Sequence, residues 1–203
     1  MPKKSSGSEP RLVVATLNRA KGRELLALLG DVPWQVSLLA DLPGASLPEE
    51  TGTTYAENAL IKARAAMRAT GATALGDDSG LEVDALGGAP GLYSARFGGP
   101  GLDDAGRYRL LLERLRDVEP ARRTARFRSM IAIVDPDGRE RVVEGIVEGV
   151  IAEAPRGDNG FGYDPVFFYP PLGRTFGELE PADKHRVDHR GAAVRAARAL
   201  LVD

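Results

Sequence analysis

The chain has 203 residues, 43% hydrophobic and 28% charged, with no cysteine and a formal net charge of −2. That length and balance suit one globular domain able to bury a core, and the charge gives no whole-protein attraction for a nucleic-acid polymer or an anionic membrane. The absence of cysteine excludes disulfides and thiolate metal sites and agrees with a reducing compartment.

No run approaches the roughly 18 apolar residues of a membrane span. The opening MPKKSSGSEP is basic and polar with no apolar segment after it, unlike a signal peptide. Residues 1–10 are expected to form a disordered tail, and residues 11–203 a single domain. Residues 12–15 are a short apolar run, β-branched at Val13 and Val14, and read as a buried strand. Leu25, Leu26, Leu28 and Leu29 then recur at helical spacing, with Gly30 placed to end the helix. Residues 34–39 alternate weakly as a second strand. Thr54 and Glu57 have capping-box spacing ahead of an Ala-rich helix that runs to Gly71. Residues 72–75 suggest a short strand that delivers Asp77-Asp78-Ser79-Gly80 at its end.

Gly and Pro punctuate residues 87–101, which must be loop over much of their length. Asp103 and Asp104 precede a helix carrying Leu110, Leu111, Leu112 and Leu115. Residues 127–134, the turn Pro136-Asp137-Gly138 and residues 142–151 read as a long β-hairpin. Residues 166–169 suggest another strand, and a last helix runs from about Gly191 to Val202. Helices and strands mixed in this order argue for an α/β or α+β protein whose sheet is not purely parallel.

Several segments can carry chemistry. Thr16-Leu17-Asn18-Arg19-Ala20-Lys21 sits where a strand turns into a helix. Backbone amides, the helix dipole and Lys21 there favour a phosphate, but an Asn cap followed by a solvated lysine explains the same residues. Asp77 and Asp78 offer adjacent carboxylates of the kind Mg²⁺ uses together with substrate phosphates. Glu49-Glu50 is a second acidic pair, and Asn58 and Lys62 share a helix face. Each of these is also compatible with a solvated surface; their joint presence points to a metal–phosphate site. Residues 157–164 set Phe161 and Tyr163 among glycines, either to stack on a base or as core aromatics at a turn. Lys184, His189 and Arg190 form a late basic cluster ahead of the last helix. With two histidines in the chain, a His-rich zinc site is not expected.

Taken together, the segments resemble the inosine triphosphate pyrophosphatase family over nearly the whole chain. The resemblance rests on residues 16–21, on Glu49-Glu50-Thr51-Gly52 with Glu57-Asn58-Ala59 and Lys62-Ala63, and on residues 74–81. Residues 87–96, Gly160-Phe161-Gly162-Tyr163-Asp164-Pro165, Lys184 and His189-Arg190-Gly191 complete it. The resemblance implies an elongated mixed-sheet α/β fold with two lobes around a deep nucleotide-binding cleft. It also implies a cytoplasmic homodimer that hydrolyses ITP, dITP and XTP to monophosphate and pyrophosphate. By the same resemblance, Thr16, Leu17, Asn18, Arg19, Ala20, Lys21 and Ser79 hold the triphosphate. Glu49 and Asp78 bind Mg²⁺, and Asp78 is also the proton acceptor. Phe161, Gly162, Tyr163, Asp164, Lys184, His189 and Arg190 surround the nucleotide and its base. Rival activities are γ-phosphate removal, a pyrophosphatase for modified pyrimidines, or a nucleotide sensor without turnover.

Two positions depart from the family's pattern. Leu17 replaces a small residue and would be strained if its φ were positive. Asp188 stands where a Ser usually precedes His-Arg, within reach of Arg190 or His185. Both departures bear on selectivity rather than on the reaction.

Overall fold

The computed structural model describes residues 9–202. The tail expected over residues 1–10 thus lies outside the described residues, apart from Glu9 and Pro10, which lead, exposed, into the first strand. Among the described residues a seven-stranded sheet forms from β1 (Arg11–Val14), β2 (Gln35–Leu38), β3 (Thr73–Val83), β4 (Thr124–Val134), β5 (Glu140–Ile151), β6 (Phe167–Tyr169) and β7 (Arg174–Thr175). The spatial order is β2-β1-β3-β4-β5-β6-β7. β1 is parallel to β2 and β3, and the remaining pairs are antiparallel. The helices are α1 (Arg19–Leu29), α2 (Tyr55–Thr70), α3 (Asp104–Arg114), α4 (Pro181–Val187) and α5 (His189–Val202). This is the mixed α/β sheet that the order of segments implied.

Local signals account for the first two helices. Asn18 Oδ1 accepts the N–H groups of Ala20 and Lys21 at 3.0 and 3.1 Å, which starts α1. Thr54 and Glu57 complete a reciprocal capping box at α2, and Gly71 closes that helix at φ 63°. Among the described residues only glycines have positive φ. Leu17 therefore carries no backbone strain.

The period-two alternation of the strands sorts the core onto two faces. Leu12, Val14, Leu75, Ile131 and Ile133 pack on Leu25 and Leu29 of α1 and on Ala193, Val194 and Ala197 of α5. On the opposite face, Ala132 and Val134 meet Ala59 and Ala63 of α2. Here α2 comes so close that a Cβ on Gly76 would collide with the Ala59 carbonyl oxygen. That approach explains a glycine in the middle of a central strand. A second apolar cluster, with Leu81, Phe127, Val147, Phe167 and Phe176, lies farther along the sheet. Between the two clusters β3 presents Asp77 and Ser79, and β4 presents Ser129 opposite Ser79. A polar belt thus crosses the sheet between two apolar cores.

Two expectations need correction. The acidic motif does not follow a short strand ending at Leu75; it lies inside the eleven-residue β3, which pairs with β4 from Ala74 to Val83. Polar residues masked the strand, and they are tolerated because each buried carboxylate finds a partner. The last helix starts at His189 rather than near Gly191, and α4 precedes it with Pro181 in its first turn. His189 and Arg190 therefore belong to α5 itself.

Candidate active site

β1 pairs with β3 only as far as Leu75. Beyond that point the chain leaves β1 through residues 16–18, and the facing edge of β3 opens onto a cleft of about 430 Å³. Ligands commonly bind at such a site beyond the carboxyl end of a parallel strand. Thr16, Leu17, Asn18, Lys21, Glu50, Lys62, Asp78, Ser79, Phe161, Gly162, Tyr163, Asp164, Lys184, His189 and Arg190 all line it. A more open groove of about 460 Å³ lies beside the start of α2 and includes none of the candidate site residues.

Neighbouring residues on a strand point to opposite faces, so Asp77 and Asp78 are not a side-by-side pair. Asp78 turns toward α2. Its Oδ1 receives Lys62 Nζ at 2.8 Å and its Oδ2 receives Asn58 Nδ2 at 3.3 Å. Lys62 also reaches Glu50 Oε1 at 3.0 Å. Burial pushes the Asp78 carboxyl above its usual range, and Lys62 offsets this only in part. Asn58 and Lys62, four residues apart on α2, do share the face that meets Asp78. Their side chains are buried, not solvated.

Asp77 turns toward α1 and α5. Lys21 Nζ lies 2.8 Å from its Oδ2, Arg190 Nε lies 3.5 Å from the same oxygen, and Ser129 Oγ donates to Oδ1 at 2.6 Å. Burial opposes its charge, but Lys21 and Arg190 outweigh that and hold the carboxyl well below its ordinary value. Lys21 is consequently a paired, mostly buried lysine. Two amides at the start of α1 are already taken by Asn18, so an anion there would be met chiefly by side chains and the helix dipole. Arg19 and Ala20 do not line the cleft. Arg19 turns outward to Asp41, at 2.7 Å.

At the other end of the cleft, Lys184 Nζ contacts Asp164 Oδ2 at 2.7 Å and Glu24 Oε1 at 3.1 Å. Arg190 gives Nη1 to Glu24 Oε2 at 2.5 Å and Nη2 to Ser79 Oγ at 3.2 Å. Both cations lie over the Phe161 ring, 5.3 and 5.4 Å from its centroid. The Phe161 amide donates to Asp164 Oδ2 at 3.0 Å, and Tyr163 Oη donates to the Ser94 carbonyl at 2.8 Å. The glycine-punctuated loop therefore has one aromatic in the core, Tyr163, and one beside the cleft, Phe161. His189 stacks on Phe127 with centroids 4.7 Å apart. Burial, reinforced by Arg190, lowers its pKa well below the usual value. His189 is a neutral ring rather than part of a basic cluster.

The structure brings together nearly all the residues singled out in the sequence. Glu49 is exposed and outside the cleft lining, where its neighbour Glu50 stands instead. Sequence reasoning missed Glu24, which anchors both Lys184 and Arg190. Its one signal was a spacing of three from Lys21, which puts both on one side of α1. It also missed Asp104, whose Oδ2 accepts the Gly162 amide at 2.8 Å. Among the described residues no three His, Cys, Asp or Glu side chains converge as a preformed metal cage. Asp78 and Glu50 do direct hard carboxylate oxygens toward one point, now held by the Lys62 ammonium. That donor set suits Mg²⁺, which binds through one or two carboxylates and completes its shell with water and substrate phosphate.

The fold and the cleft define an α/β protein with a polar, strongly charged site at the open edge of its central strand. The chain belongs to the Ham1 family, whose profile matches residues 12–200. It is 49% identical over 191 residues to the dITP/XTP pyrophosphatase of Desulforamulus reducens, covering 94% of this chain and 95% of that protein. It is 50% identical over 186 residues to a dITP/XTP pyrophosphatase of Thermus thermophilus, covering 92% and 89%. A HAM1 protein structure from Coxiella burnetii superposes with a TM-score of 0.86 at 40% identity, over 95% of this chain and 98% of that one. A nucleoside-triphosphatase / dITP/XTP pyrophosphatase structure from Mycobacterium abscessus gives 0.74 at 46% identity, over 94% and 98%. Among the described residues no helix is long and apolar enough to cross a membrane.

Proposed function

We propose that the chain hydrolyses non-standard purine nucleoside triphosphates (ITP, dITP and XTP) to the monophosphate and pyrophosphate. The observation that carries this reading is the division of labour within one cleft. A carboxylate–lysine cluster (Asp78, Glu50, Lys62) lies on the α2 side of β3, and a set of donors and aromatics (Phe161, Lys184, His189, Arg190) on the α1–α5 side, where Lys21 and Arg190 share Asp77. The first suits a triphosphate and the second a base.

Asp78 and the Glu49-Glu50 pair would hold Mg²⁺, which when bound would supply neutralisation of the phosphate oxygens and stabilisation of the departing pyrophosphate. Lys21 and Lys62 bring further positive charge to the triphosphate, and Thr16, Asn18 and Ser79 orient it. Asp78 accepts the proton of a water that attacks the α-phosphorus, and the bond to the bridging α–β oxygen breaks. Fixed donors at Lys184 and Arg190 suit the 6-oxo acceptor of hypoxanthine and xanthine. Adenine would set a 6-amino donor against them, a mismatch able to reject a substrate by about 10⁴ to 10⁵. The reading includes the homodimer and the cytoplasmic location that the resemblance implies.

Incubating the purified protein with Mg²⁺ and ITP, ATP or GTP, followed by product analysis, tests it. ITP is expected to give IMP and pyrophosphate, with ATP much slower. IDP with inorganic phosphate would identify a γ-phosphatase, and tight ITP binding without turnover a sensor. Either outcome would overturn the reading.

A further inference from the structure

α4 and α5 meet without a linker, and the residue at their corner is Asp188, which is fully buried. Its N–H donates to the Lys184 carbonyl at 2.8 Å and closes α4, while its own carbonyl accepts the Ala192 N–H at 3.0 Å. Its Oδ1 accepts the Gly191 N–H at 2.6 Å, the bond of an N-cap to the third residue of α5. The corner is tight. A Cβ on Gly191 would collide with the His185 carbonyl oxygen, so α4 and α5 approach with no room for a side chain between them.

Asp188 stands between two cations of the cleft, Lys184 four residues before it and Arg190 two residues after it. Both end on one carboxylate: Lys184 on Glu24 Oε1 at 3.1 Å and Arg190 on Glu24 Oε2 at 2.5 Å. The angle of the α4–α5 corner therefore sets how the two cations straddle Glu24 and what they present to the cleft. We propose that Asp188 is a positioning residue for substrate selection, its carboxylate cap locking Lys184 and Arg190 into the geometry that receives the ligand. Asp188 touches neither cation through an ion pair; it acts through the backbone of the corner.

The cap needs one acceptor oxygen, and Asp188 carries two. Its Oδ2 is buried without a hydrogen-bond partner. Burial accordingly raises the pKa of the carboxyl, with the Gly191 amide, Lys184 and Arg190 offsetting part of the effect. The role thus requires an acceptor and not a charge. A serine or asparagine can fill it, whereas alanine or glycine cannot.

The proposal rests on the reading of the cleft as a nucleotide site, and four substitutions of Asp188, one of them repeated in an Arg190→Ala background, test it through nucleotide kinetics and melting temperature. Asp188→Ala is expected to raise KM for ITP about tenfold while kcat stays within about threefold, since binding geometry is lost and the reacting groups at Asp78 are not. Asp188→Gly also lacks the acceptor, but glycine suits the cap backbone. It supplies a folded comparison should the alanine variant be unstable. Asp188→Ser and Asp188→Asn are expected to restore KM to within about threefold of the parent. In an Arg190→Ala background, Asp188→Gly should change the ITP-to-ATP ratio of kcat/KM less than it does in the parent, because part of its effect on selection passes through Arg190 and the rest through Lys184. An unchanged KM in folded Asp188→Gly, or a KM that Ser and Asn fail to restore, would overturn the proposal while leaving the nucleotide reading intact. Absence of ITP turnover by the parent protein would overturn both.

Discussion

Asp78→Asn is expected to reduce kcat for ITP by at least about a hundredfold, the scale of losing a general base, while the protein stays folded. The substitution is isosteric and keeps an acceptor for Lys62, at the cost of the long 3.3 Å bond from Asn58 Nδ2, which would face a second amide donor. Lys62 retains Glu50 at 3.0 Å, so no buried ammonium is left without a counter-charge. What disappears is the negative charge that would accept a proton and contribute to Mg²⁺ binding. Because both functions act in the transition state, the loss should appear in kcat more than in KM. Steady-state ITP hydrolysis and a thermal melt, run side by side, give the answer. Near-normal turnover by a folded Asp78→Asn protein would remove Asp78 from the catalytic role.

Arg190→Ala is expected to alter both stability and selectivity. The guanidinium is 3% exposed and bridges Glu24, Ser79 and Asp77. Removing it leaves Asp77 with Lys21 and the Ser129 hydroxyl, and Glu24 with Lys184, each carboxylate one cation short. Breaking a buried pair in this way costs about 3 to 5 kcal/mol, so a large fall in melting temperature should follow. If Arg190 also presents donors to a 6-oxo group, kcat/KM should fall more for ITP than for ATP. The gap between the two would then narrow by about tenfold or more, the value of a charged hydrogen bond. Kinetics with both nucleotides, measured well below the melting transition, separate the two effects. A destabilised variant with an unchanged ITP-to-ATP ratio would leave Arg190 with a purely structural role.

The sequence showed most of what positions this site. Helix ends were readable because their signals are local: Asn18, the Thr54–Glu57 box, Gly71 and Asp103 each act within a few residues. The extent of β3 was not readable. Its polar centre satisfies itself through Lys21, Lys62, Asn58 and Ser129, which come from distant places in the chain, and a periodicity reading has no access to such partners. For the same reason Asp77 and Asp78 looked like one acidic pair, although strand geometry sends them to opposite faces. Glu24 was hidden because its role depends on α4 and α5, and 160 residues separate it from Lys184. Asp188 was visible as a departure from pattern, but its role as a cap emerged only once α5 was seen to begin at His189.

The central claim is attack on the α-phosphorus, and the position of solvent oxygen in the products tests it most directly. Hydrolysis of ITP in ¹⁸O-labelled water with Mg²⁺ is expected to place the label in IMP and to leave pyrophosphate unlabelled. No inorganic phosphate should form. Label in pyrophosphate would mean attack on the β-phosphorus, and labelled inorganic phosphate with IDP would mean cleavage at the γ-position; either result would contradict the account.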